Sequence, residues 1–374
     1  MKVLFCTNCF EHVTNGPAKF ANLLLDMPAR HPDVEVRILT EDVERARPGV
    51  YKMEVSYPAI FRYLGQVIRI FLYARNIRRI RREYDYDVVV FNHSFHGLAL
   101  SFSEPRPIIG MINDDNSCSK NLSNFSLSKD WLSYYAYGRL ERWSIKRFRT
   151  ILVNSVYLRK TLIKDYALPE PLSRKLKLFY KAIRLPEQPK PKTEFRGTIK
   201  VLFVKADFRR GGLEVLGEAL GKLKGHQFRL TIIGPEDRFR EQVLELVGHH
   251  DHVEVENLGF RPASFVETAM REHDIFCVPA LHEALGVANL EALSRGISVV
   301  SSDAGGIPEI MDGGNNGWMA PAGDPLALSR CLSECIKDDS LREQKRLNGL
   351  QYSRRFEAVL MYDRFREELL ESLT

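Results

Sequence analysis

Short apolar, β-branched runs alternate with longer amphipathic stretches along the whole chain, and this alternation restricts the fold more than any other feature. In the first half the predicted strands are 2–6, 34–39, 87–91, 107–112, 150–154 and 175–180; in the second they are 199–204, 228–233, 253–257, 274–278 and 297–301. Strands separated by helices build parallel sheets covered on both faces, so the expected class is α/β with two doubly wound domains. A chain of 374 residues also exceeds what one core sustains. Pro186, Pro189 and Pro191 disfavour helix and sheet, which places an extended linker at 186–198 between domains 1–185 and 199–349. The helical pattern at 350–374 has no strand after it and is free to pack on either domain, the first included.

Hydrophobic residues at 44% and charged residues at 27% are an ordinary globular balance, which excludes a disordered chain. Arg and Lys interrupt every apolar run before the roughly 20 residues of a membrane span. The start, Met1-Lys2-Val3-Leu4-Phe5, reads as a strand without the apolar region and cleavage site of a secretory signal, so a cytoplasmic protein is expected. Six cysteines then read as reduced thiols. Cys6 and Cys9 form a C-x-x-C pair with Cys331 and Cys335 as a conceivable second half; buried single thiols are the simpler reading.

The net charge of +6 comes largely from arginines between Arg62 and Arg82, in a pattern unlike a nucleic-acid reader. Ile60, Leu64, Val67, Ile68 and Phe71 recur at helical spacing with Arg62 and Arg69 opposite, and Arg75, Arg78, Arg79, Arg81 and Arg82 follow. Such a helix either packs its apolar side on the first sheet with solvated arginines outside, or lies on an anionic membrane at the inner face of the cell membrane.

Open parallel sheets bind ligands beyond the carboxyl ends of their strands. After the strand at 274–278 comes a loop holding Glu283, then Gly286, then the spacing Val287, Leu290, Leu293 of a helix. Gly286 permits close backbone approach, and the first N–H groups of that helix form an anion site. Glu291 lies about 12 Å further along. Two acceptors so spaced can hold two hydroxyl-rich groups joined by a phosphate bridge; alternatively Glu283 serves the helix dipole and Glu291 is a surface residue.

The segment Glu283-Ala284-Leu285-Gly286 through Glu291-Ala292 fits the pattern E-x-[FL]-G-x-x-x-x-E-A and resembles the retaining glycosyltransferases of family four. Ser301 to Ile310, Asn316 to Pro321, Ile232-Ile233-Gly234 and Leu258-Gly259-Phe260 extend the resemblance in order over nearly all of residues 199–330. It implies the GT-B fold of two facing Rossmann-like domains, and an enzyme moving a sugar from a nucleotide-sugar donor to a glycan or lipid-linked acceptor with retention of configuration. It further implies that Glu283 contacts the donor sugar, that the backbone of Leu285, Gly286 and Val287 binds sugar and phosphate, and that Glu291 holds the ribose. No metal or other cofactor is implied.

The family's Arg-Lys-Gly for the diphosphate stands here as Arg210-Gly211-Gly212, leaving Lys205, Arg209 or Arg210 to supply the charge. In the first domain Asn15-Gly16-Pro17-Ala18 occupies the place of the family's glycine loop, with Gly16 the point of close approach. The family's His-Asp is similar to Asn113-Asp114, where Asn keeps hydrogen bonding and loses titration; His93 or His96 could take over. Asp114-Asp115 could also suggest the metal-binding acids of the other large glycosyltransferase fold, against which the two-domain pattern argues. Two rival readings are a nucleotide-sugar epimerase and a non-catalytic binding subunit.

Overall fold

The computed structural model describes residues 1–11, 16–56, 65–114, 129–191, 194–195 and 197–374, with side chains in the helix that begins at 129 described from 136 onward. The chain divides into two compact units, Met1–Ala182 together with Ala358–Thr374, and Ile183–Glu357.

The first unit carries seven strands: β1 Lys2–Thr7, β2 Glu35–Thr40, β3 Val50–Lys52, β4 Val88–Phe91, β5 Ile108–Ile112, β6 Thr150–Val153 and β7 Leu176–Leu178. They lie in the order β3-β2-β1-β4-β5-β6-β7, with every pairing parallel. The second unit has β8 Ile199–Val204, β9 Phe228–Ile233, β10 Val253–Gly259, β11 Ile275–Val278, β12 Ser298–Ser302 and β13 Trp318–Ala320. Their order is β10-β9-β8-β11-β12-β13, again all parallel. Two Rossmann-like doubly wound sheets of this kind are the architecture that the resemblance to the GT-B fold implies. Each sheet reverses its winding once, between β1 and β4 and between β8 and β11, and such switch points open the crevice where ligands sit.

Burial on both faces explains why the strands read as continuous apolar runs. In β1, Val3 and Phe5 enter one core while Leu4 and Cys6 enter the other, as the two-residue period requires. The terminal helix Ala358–Leu373 covers the first face, where Phe20, Phe179 and Phe365 have mutual ring-centroid distances of 5.6 to 5.8 Å. The opposite face is covered by the helix Gly65–Ile80.

That helix corrects the expected facing of the arginine segment. Arg62, Ile60 and Leu64 fall outside the described residues. The buried side is Ile70, Tyr73, Ala74, Ile77 and Ile80, whereas Phe71 is 63% exposed. Arg69 turns inward to Glu41 at 2.8 Å. A second apolar stripe, one residue out of phase, wins because it alone continues to the end of the helix.

The strands β3 and β13 were not expected. Each has three residues at a sheet edge, too few for a two-residue period to stand out. The proline-rich stretch is fastened to the second unit: Lys190 N–H donates to the Arg295 carbonyl at 2.7 Å, and its ammonium donates to the His273 carbonyl.

Candidate active site

At the second switch point the chain leaves β8 through Lys205 and leaves β11 through the loop that carries Glu283. The Lys205 ammonium and the Glu283 carboxylate form an ion pair at 2.5 Å, both side chains partly exposed at 28% and 21%. A Cβ at Gly211 would lie 2.9 Å from Lys205 Cγ and 2.7 Å from Phe203 Cζ, so the stem of Lys205 passes through the space that a side chain at 211 would need. The glycine at 211 and the lysine at 205 are therefore one arrangement.

The Glu283 loop is tied from behind. Ser301 Oγ donates to the Val278 carbonyl at 2.8 Å, Ser302 Oγ to the Ala280 carbonyl at 2.5 Å, and Gly306 N–H to the Glu283 carbonyl at 3.1 Å. Gly286 ends the loop as the N-cap of the helix Val287–Arg295 with φ +90°, a conformation that excludes most other residues. The helix start has no side-chain cap. Asn289 turns inward, donating to Ser301 Oγ at 3.1 Å. The free helix start is an electropositive, donor-rich end beside the Lys205–Glu283 pair. Leu285 is buried, Val287 and Glu291 are partly exposed, and the Glu291 carbonyl accepts from Arg295 Nη1 at 3.0 Å.

Arg209 does not join this group. It is exposed, lies 5.8 Å from the Phe208 ring centroid and reaches Gln242 at 3.4 Å. Arg210 is fixed through its backbone, its N–H donating to Asp207 Oδ1 at 3.1 Å and its carbonyl accepting from Leu281 N–H at 2.8 Å.

The first switch point is spanned by Asn92, fully buried just after β4. Its amide donates to Thr7 Oγ1 and to the Pro17 carbonyl, each at 3.1 Å, linking β1 and the helix Gly16–Leu24. Asn113 Nδ2 donates to the Asn92 carbonyl at 2.6 Å and to Asn92 Oδ1 at 3.0 Å. Asn154 Nδ2 donates to the Asn113 carbonyl at 2.8 Å. A row of amides thus crosses the carboxyl ends of β4, β5 and β6, with the partly exposed Asp114 beside it. Among the described residues a Cβ at Gly16 would meet nothing within 4 Å; Asn15, Asp115 and Asn116 fall outside the described residues.

Two family models match the chain: "Glycosyltransferase Family 4" over residues 21–182 and "Glycosyl transferases group 1" over 186–351. The chain belongs to the family-four glycosyltransferases. It is 36% identical over 143 residues to the amylovoran biosynthesis glycosyltransferase AmsK of Erwinia amylovora, 36% of this chain and 35% of that one. It is 32% identical over 163 residues to a phosphatidyl-myo-inositol mannosyltransferase of Mycobacterium leprae, covering 42% of each. These alignments span well under half the length of the curated relatives. Among solved structures, Anabaena HepE in complex with UDP-glucose superposes with a TM-score of 0.75 at 18% identity, over 99% of this chain and 100% of that one.

The two histidine candidates differ in their surroundings. His96 is buried, 5.1 Å from Tyr73 ring to ring in a stacked pair, with its Nε2 2.9 Å from Gln66 Oε1, so it is a packing residue. His93 is partly exposed beside it. Asn92 and Asn154 were not singled out in the sequence; their signal is that each is polar and stands just beyond the end of an apolar strand. Among the described residues no group of three His, Cys, Asp or Glu side chains could hold a metal. Cys6 and Cys335 are buried thiols pushed up by burial.

Although the residue is partly exposed, desolvation of its ring, with the nearby Lys181 charge, lowers His93 to about 4. The folded ring stays neutral where an unfolded histidine takes a proton, so stability is lost as pH falls from about 6.5 towards 4. The His93 imidazole should titrate near pH 4 by NMR, and His93→Gln should lessen the acid sensitivity; a ring titrating at 6.5 or above would contradict this.

Proposed function

We propose that the chain moves a sugar from a nucleoside-diphosphate donor to a hydroxyl of a glycan, glycolipid or other acceptor, with retention at the anomeric carbon. The observation that carries this is the Lys205–Glu283 pair beside the uncapped start of the Val287–Arg295 helix. The naming of relatives for amylovoran biosynthesis and phosphatidyl-myo-inositol mannosylation, and a structural neighbour solved with UDP-glucose, support the same reading.

Lys205 and Glu283 neutralise each other without donor. An entering diphosphate offers the ammonium a stronger acceptor, and Glu283 is released to accept from the donor sugar's hydroxyls. The N–H groups at the helix start, Val287 first, stabilise the charge that develops on the departing diphosphate. Glu291 holds the ribose and Gly16 leaves room for the phosphates. The acceptor hydroxyl attacks from the side the diphosphate leaves: the bond from the anomeric carbon to the phosphate oxygen breaks, the bond to the acceptor oxygen forms, and the acceptor proton passes to the phosphate.

Lys205→Ala should weaken donor binding about 10- to 100-fold, as expected for losing a hydrogen bond between charged groups. Arg209→Ala should change it less than about two-fold. Titration calorimetry with a panel of nucleotide sugars reads both, and equal losses would move the phosphate contact away from Lys205. Glu283→Ala should abolish transfer; unchanged transfer would place the site elsewhere. The product's anomeric configuration, read by NMR, should match the donor's, and an inverted linkage sinks the retaining mechanism.

Contact with an anionic membrane is proposed for the outward face of the Gly65–Ile80 helix, where Val67 and Phe71 are exposed together with Arg75, Arg78 and Arg79, and Arg82 follows. No helix among the described residues is long and apolar enough to cross a membrane. Sedimentation with phosphatidylglycerol vesicles should capture the protein, phosphatidylcholine vesicles should not, and Phe71→Ser should weaken capture; equal binding to both lipids would refute the charge argument.

A further inference from the structure

We propose that the carboxyl edge of the first sheet binds an anionic sugar acceptor, with the Lys181 ammonium taking its carboxylate or phosphate and the Asn113 and Asn154 amide oxygens accepting from its hydroxyls. This rests on the glycosyltransferase reading and adds the charge class of the acceptor.

Three neighbouring strands, β5, β6 and β7, lead into Asn113, Asn154 and Lys181. Each of these residues holds one buried polar atom without a hydrogen-bond partner: Asn113 Oδ1, Asn154 Oδ1 and Lys181 Nζ. The amide orientations are fixed, because each Nδ2 donates to a backbone carbonyl of the row. The oxygens are therefore what the network leaves over. A buried polar atom without a partner is costly, more so when charged, so three of them beyond the ends of adjacent strands point to a ligand.

Lys181 specifies what kind. It is 3% exposed, and its ammonium lies 4.4 Å from the centre of the Phe20 ring. Among the described residues no carboxylate pairs with it, and Cys9 is the one titrating neighbour that favours its charge. Burial lowers it to about 7. The nearby His93 is neutral and supplies no counter-charge. Water could satisfy the two amide oxygens, whereas the charged form of Lys181 is favoured by an anion at its ammonium. One cation and two hydrogen-bond acceptors beyond the ends of adjacent strands match a molecule bearing both an acidic group and hydroxyls, and the edge of an open parallel sheet is where such a molecule lies.

The test measures binding of glucuronate, glucose 6-phosphate, glucose and inorganic phosphate to the full chain by calorimetry. It uses the wild type, Lys181→Met, which keeps the stem and removes the charge, and Asn154→Asp, which places a carboxylate in the row. The wild type should bind at least one charged sugar ten-fold or more tighter than glucose. Lys181→Met should lose that preference while keeping the wild-type affinity for a nucleotide-sugar donor. Asn154→Asp should also lose it, which serves if Lys181→Met does not fold. The proposal is overturned if the wild type shows no preference, if folded Lys181→Met retains it, if Asn154→Asp retains it where Lys181→Met does not fold, or if phosphate alone binds as tightly as the sugar phosphate. Failure of the wild type to bind any nucleotide sugar would overturn the functional reading, whatever the charged sugars do.

Discussion

The central strands of a parallel sheet covered by helices on both faces have almost no place for a charged side chain, and the layout of this molecule follows from that. In β1, β4, β5 and β6, and again in β11 and β12, nearly every residue is buried. In these strands charged and amide side chains stand at the ends and beyond them. Because all strands of a sheet point the same way, their carboxyl ends collect on one edge, and the winding reversal opens that edge at one place. Lys205 and Glu283 flank the reversal in the second unit, and Thr7 and Asn92 flank it in the first.

The pair at the second switch point does not hold the fold together. Two partly exposed charges contribute about 0–1 kcal/mol. Its geometry is imposed by the frame: Ser301, Ser302 and Gly306 tie down the loop, and the absence of a side chain at 211 leaves space for the Lys205 stem. A weak pair held in place by a rigid surround can exchange partners at small cost, which suits a site whose ligand carries charge of its own.

Legibility followed the same physics. All eleven expected strands are present because buried strands write themselves as apolar runs, and Gly286 with Val287, Leu290 and Leu293 announced its helix because glycine and period are local signals. What depended on distant contacts did not show. The apolar residues around Arg69 offered two stripes, and only Glu41 and the sheet choose between them. Lys205 as the partner of Glu283 is a contact across 78 positions, and Gly211 read as a missing lysine until the path of the Lys205 stem gave it a steric reason. The family resemblance located the Glu283 element; it could not have revealed Lys181, whose significance lies in the lack of a partner.

The two units treat their cations in opposite ways. Lys205 is partly exposed and paired with Glu283, so any anion approaching it competes with a carboxylate. Lys181 is buried and unpaired, so an anion reaching it displaces none. For equal Coulomb attraction the second arrangement gains more on binding, because the low dielectric around a buried group strengthens the contact and no competing ion pair is broken. The same desolvation penalises the ammonium without its ligand, which is why Lys181 is lowered to about 7. A buried cation of this kind discriminates strongly by ligand charge: a neutral sugar leaves the penalty in place, whereas an acidic one removes it.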